Sequence, residues 1–376
     1  MKLQGVDQII QQGLENGIPA AQLTVFHRGE KIHSQAYGWL DPDSRHHQTT
    51  LETRFDMASV TKLFVVTAFM ILVEEGAIRL DDPVSAVLPG FTGVRPIQPY
   101  ENPLEWGAKV TVTTEPGSVD AGKITFRMLL THSSGLPAWR PLKDQPDRES
   151  AIEMAMSTFF SYPPGERVVY SDIGLILTGL AIEMVNGKPL DETVAERVLQ
   201  PLRLDHTGYL KVERAAGQGE GDFAPTEYCR WRGRRICGEV HDENAWRLGG
   251  VAGHAGIFST SEDTARLGLM FLRGGSPILQ RETVAEMIRL QAAYQDTRRG
   301  LGFALWSPDP EASSNPFSPS TYGHTGFTGT SLFIDPEREL VVAFLTDEVY
   351  RGRENRVIMP LRVNLHRCIV ENIEKG

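Results

Sequence analysis

Two β-hairpin signals, one near each end of the chain, most strongly limit the folds open to these 376 residues. Near the N-terminus Leu23 and Val25 alternate with polar residues, and residues 28–30 supply a turn before a second strand. Near the C-terminus the apolar runs Ser331–Asp335 and Leu340–Thr346 are separated by a short polar turn. If both hairpins join one antiparallel sheet, the two ends of the chain must meet in a single lobe.

Helical spacing of apolar residues fills much of the remaining sequence. It predicts terminal helices at residues 6–14 and 357–369. Further helical patterns lie at residues 59–75, 125–131, 149–160, 172–185, 190–198 and 261–273. We therefore predict an α/β fold of the α+β type, in which terminal helices flank a central antiparallel sheet and a mainly helical lobe is inserted. Residues 1–58 and 259–376 would form the sheet lobe and residues 59–258 the helical lobe, with a ligand site in the cleft between them.

The charge balance limits the partners that this chain can have. Its formal net charge is -10 at pH 7, whereas nucleic acids and anionic membranes attract an excess of Lys and Arg. We therefore expect neither as a partner. Residues 1–7 lack the apolar core of a secretory signal, so we expect a cytoplasmic protein. The most apolar stretch, residues 63–73, is too short to cross a bilayer and predicts a buried helix.

A serine and a lysine stand three positions apart at the start of that apolar helix. Residues three apart on a helix share a face, so Ser59 Oγ and Lys62 Nζ come within hydrogen-bond reach. A serine hydroxyl is a poor nucleophile without an adjacent base, and desolvation or a neighbouring cation can lower the pKa of a lysine enough for that role. The helix N-terminus adds partial positive charge where an oxyanion would develop. By itself, the pattern also fits a helix-capping serine beside a solvated lysine.

Two later motifs carry polar groups suited to the same chemistry. Tyr170 and Asp172 form Y-x-D just before a predicted helix, where a tyrosine can relay the proton of Ser59 to a leaving group. The alternative for Tyr170 is simple packing. Asp172 is either a substrate contact or the N-cap of that helix. The third motif, H-T-G at residues 324–326, precedes the last hairpin, and its glycine permits close backbone approach to a substrate.

The ordered motifs S-V-T-K, Y-S-D and H-T-G resemble those of the class C β-lactamase and D,D-peptidase superfamily. This penicillin-binding protein-like group of serine hydrolases also includes certain esterases and D-aminopeptidases. Three further stretches look like the same family, at residues 129–137, 200–204 and 253–260. The resemblance extends from about residue 5 to residue 370. It implies a β-lactamase/transpeptidase-like fold with the active site between two lobes.

The resemblance also implies a role for each motif. Ser59 would be the acylated nucleophile, with Lys62 and Tyr170 as its proton-handling partners. Which of these two is the acylation base is left open. The backbone N–H groups of Ser59 and Phe327 would form the oxyanion hole. The substrate would lie along a strand formed by His324, Thr325 and Gly326, and it would also contact Asp172.

Two departures from the β-lactamase pattern redirect the expected specificity. Asp172 stands where β-lactamases usually carry asparagine, and a carboxylate accepts hydrogen bonds but cannot donate them. His324 replaces a lysine and is mostly neutral at pH 7, which weakens a cationic site for a substrate carboxylate. We therefore expect small esters, amides or D-amino-acid peptides as substrates and no cofactor. The alternatives are a β-lactamase proper and a non-catalytic homologue that binds ligands.

Two other kinds of site are less consistent with the sequence. His241 and His254 do not form an H-E-x-x-H pair, and no third metal ligand is evident. We therefore predict no metal, and expect His241, Asp242 and His254 to form a buried polar network that braces the pocket. An α/β-hydrolase needs a G-x-S-x-G elbow, which the sequence before Ser59 lacks. The sequence predicts no oligomeric state.

Overall fold

A computed structural model describes residues 3–105, 107–215, 221–354 and 356–375. In these ranges the longest strands lie near the two ends of the chain, and most of the α-helices lie between them. The strands in these ranges are β1 (Ala20–His27), β2 (Glu30–Gly38), β3 (Phe55–Asp56), β4 (Val94–Pro96), β5 (Tyr100–Glu101), β6 (Lys109–Val110), β7 (Ser118–Asp120), β8 (Gly208–Tyr209), β9 (Tyr228–Cys229), β10 (Arg234–Arg235), β11 (Ile257–Ser259), β12 (Ala292–Tyr294), β13 (Thr297–Arg299), β14 (Ala304–Leu305), β15 (Tyr322–Thr325), β16 (Ser331–Asp335) and β17 (Leu340–Thr346). The α-helices in the same ranges are α1 (Val6–Glu15), α2 (Thr61–Glu74), α3 (Phe126–Leu130), α4 (Arg148–Met156), α5 (Asp172–Asn186), α6 (Leu190–Val194), α7 (Gln200–Leu202), α8 (Val212–Ala215), α9 (Glu243–Arg247), α10 (Ser261–Leu272), α11 (Arg281–Ile288) and α12 (Ile358–Lys375).

The central sheet joins the N-terminal hairpin to the C-terminal strands. Its eight strands follow the order β12-β13-β14-β15-β16-β17-β1-β2, and each neighbouring pair is antiparallel. Strand β1 pairs with β17 so that Leu23 faces Phe344 and Val25 faces Val342. Every residue of β17 is buried, because the sheet is covered on both faces. This pairing confirms that the two ends of the chain meet in one sheet.

Helices cover the two faces of the sheet. The terminal helices α1 and α12 lie side by side, and Val6, Ile10 and Leu365 share one apolar cluster with Leu23 of the sheet. Helix α10 packs on β17, β1 and β16, where Gly268 allows a close approach to the sheet. The antiparallel sheet with flanking terminal helices and a mainly helical remainder is the fold that the sequence predicts. The proposed lobe boundaries after residues 58 and 258 stay a prediction.

Helix α2 carries the predicted nucleophile motif into the larger apolar core. It is buried from Thr61 to Leu72 and contacts α5, which confirms the buried helix predicted for residues 63–73. In the described residues no single helix combines the length and apolar composition needed to cross a membrane. One bent pair, Asp172–Asn186 with Leu190–Leu202, meets those criteria when taken together.

Candidate active site

A tight turn places Ser59 immediately before helix α2. Residues Ala58–Val60 form one turn of 3-10 helix, and Ala58 adopts a φ of 44°. That left-handed conformation is unfavourable for alanine, so the surrounding contacts must hold it. The buried Asp56 does so in part, because its carboxylate accepts the Ala58 N–H at 2.8 Å and the His241 N–H at 2.6 Å. Ser59 itself is half-buried, with its side chain facing a cavity.

The ammonium group of Lys62 lies at the centre of the site. Its Nζ is 2.9 Å from Ser59 Oγ, as the three-residue spacing predicts. It also donates to the His254 carbonyl at 3.0 Å and forms an ion pair with Asp172 Oδ1 at 2.8 Å. The Lys62 side chain is 1% exposed, so these groups replace its hydration shell.

The ion pair decides the protonation state of this lysine. Burial alone lowers the pKa of Lys62, and it is the largest single effect. The negative charge of Asp172, together with weaker contributions from Tyr170, outweighs burial and leaves the pKa of Lys62 above its usual value. Lys62 is therefore an ammonium ion in the resting protein, rather than the neutral amine that direct base catalysis requires.

Tyr170 lies beside the same two groups. Its hydroxyl is buried next to Ser59 and Lys62, and Lys62 Nζ is 4.8 Å from the centre of its ring. Rings on both sides fix the tyrosine, with centroids 4.6 Å away for His132 and 5.8 Å for His324. Burial raises the pKa of Tyr170 more than the adjacent Lys62 lowers it. The phenol is therefore neutral and able to donate a proton.

The N-cap alternative for Asp172 is wrong by one residue. Ser171 is the N-cap of helix α5, and its hydroxyl accepts the Gly174 N–H at 3.3 Å. Asp172 is the first helical residue, which directs its 20%-exposed side chain towards Lys62 and the cavity. The carboxylate therefore faces both the catalytic lysine candidate and the space that a substrate would occupy.

The H-T-G motif lies at the end of strand β15, which contacts the turn that carries Ser59. Residues 324–326 do not contribute to the lining of the cavity that Ser59 faces. Burial, together with the nearby charges of Lys62 and Arg299, lowers the pKa of His324 to about 3, so its imidazole is neutral. A side chain at Gly326 would come within 2.6 Å of the Met57 carbonyl, so this glycine allows the strand to approach the nucleophile turn. Substrate binding by His324, Thr325 and Gly326 stays a prediction.

A cavity of about 760 Å³ opens in front of Ser59, within the size range of small-molecule sites. Tyr170, Asp172 and Phe327 line it, as do apolar residues of the β5–β6 hairpin such as Leu104. Within the described ranges, the backbone N–H groups of Ser59 and Phe327 have no backbone acceptor. Both amides are therefore available to a ligand, as an oxyanion hole requires.

The predicted histidine network forms the far wall of this cavity as two separate pairs. His254 Nε2 lies 3.0 Å from Asp242 Oδ1, and His241 Nε2 lies 3.1 Å from Glu227 Oε1. The ring of His241 also stacks on Phe327, with centroids 5.7 Å apart. No group of three or more His, Cys, Asp or Glu side chains in the described part of the chain is placed to hold a metal ion.

Two residues near the site were missed by the sequence reasoning. His132 supports Tyr170, and its Nδ1 accepts the Ser171 N–H at 3.1 Å. It lies in the stretch at residues 129–137 that resembles the family, and this resemblance could have indicated it. The guanidinium of Arg299 lies 5.4 Å from the centre of the Tyr170 ring and has no anionic partner among the described residues. No motif marked this arginine.

Comparison with known proteins identifies the family of this chain. Residues 6–363 match the β-lactamase family model. The chain belongs to the β-lactamase family. It is 33% identical to a protein of Bacillus subtilis (strain 168) named N-acetylmuramyl-L-alanine amidase, over 92% of this chain and 81% of that protein. It is 30% identical to a Salmonella typhi protein named as a D-alanyl-D-alanine carboxypeptidase, over 96% of this chain and 85% of that protein.

Several solved structures share the fold. One is EstCE1, described as a hydrolase with promiscuous acyltransferase activity, with a TM-score of 0.72 and 23% identity over 96% of this chain and 97% of that chain. Another is the octameric penicillin-binding protein homologue from Pyrococcus abyssi, with a TM-score of 0.74 and 22% identity over 99% of this chain and 78% of that chain. At these identities the likeness concerns the fold alone. The family model and the names of the relatives show that the chain belongs to a family of hydrolases related to penicillin-binding proteins.

Proposed function

We propose that this protein is a serine hydrolase that cleaves an amide or ester through an acyl-enzyme on Ser59. The observation that carries the proposal is the 2.9 Å contact between Lys62 Nζ and Ser59 Oγ at the mouth of a ligand-sized cavity. A helix-capping serine with a solvated lysine would not bury the lysine against the hydroxyl. Tyr170 and two available backbone N–H groups complete the set of groups that acyl transfer needs.

Acylation starts from a protonated lysine, so the proton of Ser59 needs an acceptor beyond Lys62. Asp172 supplies one at 2.8 Å. As Ser59 Oγ bonds to the carbonyl carbon, its proton passes to Lys62 while Lys62 gives one of its protons to Asp172. The carbonyl oxygen becomes an oxyanion that accepts from the N–H groups of Ser59 and Phe327. Lys62 remains an ammonium ion next to the developing charge throughout this step.

Collapse of the tetrahedral intermediate reverses the proton flow. The bond between carbon and leaving group breaks, and the leaving nitrogen or oxygen takes the proton of the Tyr170 hydroxyl. Tyr170 then regains a proton from Lys62, and Lys62 regains one from Asp172. The acyl group stays on Ser59 as an ester, and the other groups return to their starting state. In deacylation a water molecule attacks the ester carbonyl in place of Ser59, and the same groups take up its proton. The bond to Ser59 Oγ then breaks, Ser59 regains a proton, and the acid is released.

We assign an amide as the preferred substrate class, and an N-acetylmuramyl-L-alanine linkage as the first one to test. The support is the amidase name of the Bacillus subtilis relative, which matches 92% of this chain at 33% identity. The cavity combines Trp139 and apolar residues with carboxylates such as Glu101 and Asp144, so it offers both apolar contact and hydrogen-bond acceptors. This mixed lining suits a sugar-bearing acyl group better than a purely aliphatic one.

Covalent labelling and turnover test the proposal together. Wild type is incubated with a serine-reactive phosphonate and analysed as intact protein, and hydrolysis of p-nitrophenyl acetate is followed in parallel. We expect one adduct on Ser59, and Ser59→Ala should abolish it while lowering turnover by about 10³-fold or more. Ser157→Ala, an exposed serine at the end of α4, is the matched control. No adduct on wild type and no Ser59-dependent turnover would favour the non-catalytic, ligand-binding homologue.

Arg299 favours a second candidate, a carboxypeptidase. Its guanidinium lies over the ring of Tyr170, the residue that protonates the leaving group in the proposed mechanism, and it has no anionic partner in the described residues. A leaving amino acid carries a carboxylate within a few bonds of its nitrogen, so it would bring a counter-ion to this buried cation. Release of D-alanine from a D-alanyl-D-alanine peptide tests this activity, and its absence from a preparation that hydrolyses esters would exclude it.

A further inference from the structure

The turn that carries Phe327, residues 326–330, is closed by its own backbone hydrogen bonds. Gly329 N–H donates to the Gly326 carbonyl at 3.1 Å, and Gly326 N–H donates to the Thr330 carbonyl at 2.7 Å. Because the C=O and N–H of a trans peptide point in opposite directions, the first of these bonds directs the Phe327 N–H outwards from the turn. The proposed mechanism uses this N–H in the oxyanion hole, so its direction depends on the shape of the turn.

Two buried threonines tie the 326–330 turn to the segment that precedes Ser59. Thr328 Oγ1 donates to the Asp56 carbonyl at 2.7 Å, and Thr330 Oγ1 donates to the Met57 carbonyl at 3.0 Å. The two N–H groups of the proposed oxyanion hole therefore belong to segments that are hydrogen-bonded to each other. The spacing of the two donors depends on both segments keeping their shape.

Arg356, just before helix α12, holds one carbonyl of the turn. Its Nη2 donates to the Phe327 carbonyl at 2.9 Å, and its guanidinium carbon lies 4.6 Å from the centre of the Phe327 ring. Its Nε donates at 2.7 Å to Glu348, whose side chain is 1% exposed. The same carboxylate accepts the Ile358 N–H at 2.8 Å at the start of α12. A buried carboxylate therefore fixes the guanidinium that contacts Phe327.

Arg362, within helix α12, holds two further carbonyls of the turn. Its Nη2 donates to the Gly329 carbonyl at 2.8 Å and lies 3.4 Å from the Thr330 carbonyl. The residue is 1% exposed, and burial lowers the pKa of Arg362 to about 10 although the charge of Glu348 opposes this effect. In the described ranges no carboxylate lies in ion-pair contact with Arg362. A buried cation is costly unless it is hydrogen-bonded, so Arg362 and the carbonyls of the turn stabilise each other.

We propose that Arg356 and Arg362 are positioning residues for the oxyanion hole, because they keep the 326–330 turn in the shape that directs the Phe327 N–H at the substrate carbonyl oxygen. The inference rests on the proposed function, since an oxyanion forms only if Ser59 attacks a carbonyl. Neither arginine is among the described residues that line the cavity in front of Ser59, so both act through the turn and not by contact with substrate. Donors fixed in advance stabilise the transition state more than the bound ester, so the arginines affect the rate of bond formation more than substrate binding.

Hydrolysis of p-nitrophenyl acetate and its inhibition by phenylboronic acid test this assignment. A boronic acid forms a tetrahedral adduct with a serine hydroxyl, and one oxygen on boron then occupies the oxyanion hole. Arg356→Met should lower kcat/KM for the ester about tenfold and raise the Ki of phenylboronic acid by the same factor, because loss of a whole oxyanion-hole donor costs about 10²–10³-fold. Arg356→Lys keeps a donor for the Phe327 carbonyl and should restore most of both values. Arg362→Met should change both values in the same direction as Arg356→Met.

Arg338→Met is the matched control. Arg338 is also an ion-paired arginine that joins helix α12 to the sheet, through Glu374 and the buried Asp335. Among the described residues it has no hydrogen bond to the 326–330 turn. This variant should keep the wild-type kcat/KM and the wild-type Ki.

The inhibition constant separates positioning from a general loss of stability. Ki is a property of the folded molecules and not of their number, so a variant that is merely destabilised loses rate with an unchanged Ki. That result in Arg356→Met would overturn the inference, as would a tenfold rise of Ki in Arg338→Met. Arg356 is 32% exposed, so the test stands on its variants even if Arg362→Met fails to fold. Absence of Ser59-dependent ester hydrolysis in wild type would instead contradict the proposed function.

Discussion

Replacing Asp172 by asparagine separates the proposed relay from direct base catalysis by Lys62. The carboxylate lies 2.8 Å from Lys62 Nζ, which corresponds to an attraction of about 6 kcal/mol at an effective dielectric constant of about 20. Desolvation of the buried lysine opposes this attraction by several kcal/mol. Asparagine keeps the shape but removes the charge, so burial then dominates and the pKa of Lys62 falls. Losing one member of the pair should destabilise the fold by at most about 3 kcal/mol, because Asp172 is partly exposed.

The two mechanisms differ in their pH dependence. In wild type the ammonium–carboxylate pair is the active form, so kcat/KM should be nearly constant between about pH 6 and about pH 9. In Asp172→Asn only the neutral amine of Lys62 can take the proton of Ser59. Below the lowered pKa of Lys62, kcat/KM should therefore fall about tenfold for each pH unit. The variant loses activity on the acidic side and regains it as the pH rises.

The assay is p-nitrophenyl acetate hydrolysis, read at an isosbestic wavelength of the product across this pH range. Urea unfolding of each variant checks that the fold is intact. Asp144→Asn is the matched control, because it removes another carboxylate from the same cavity without touching Lys62. The control should keep the flat wild-type profile. A flat profile in Asp172→Asn as well would refute Asp172 as the proton acceptor.

Three further substitutions test other parts of the site. Tyr170→Phe should slow amide cleavage about 100-fold and ester cleavage much less, because a phenolate leaving group needs no proton; stopped assays on both substrates measure the ratio, and equal losses would contradict leaving-group protonation. Gly326→Ala should lower the free energy of unfolding by about 2 kcal/mol, because its Cβ would meet the Met57 carbonyl at 2.6 Å; an unchanged urea midpoint would show that the strand can yield. Arg299→Gln should raise KM about tenfold for a D-alanyl-D-alanine peptide and not for p-nitrophenyl acetate, if the carboxypeptidase candidate is correct.

The sheet and its terminal helices could be predicted because their signals are local. Alternation in the strand pairs and helical spacing in α1 and α12 depend on neighbours a few residues away, and β16 and β17 lie at the predicted positions. The Ser59–Lys62 contact was also accessible, since the geometry of one helical turn fixes it. The N-cap of α5 was missed by one residue because serine and aspartate are both good caps and occur side by side there.

The sequence by itself determined which segments form the sheet and that a serine and a lysine meet at the start of a buried helix. Only the tertiary structure decided the charge of the lysine, because the negative charge that raises its pKa comes from Asp172, which reaches it from another helix. The same holds for Arg299 beside Tyr170, because these two residues are far apart in the sequence. Charge and burial at such contacts arise when separate elements pack together, so no local pattern encodes them.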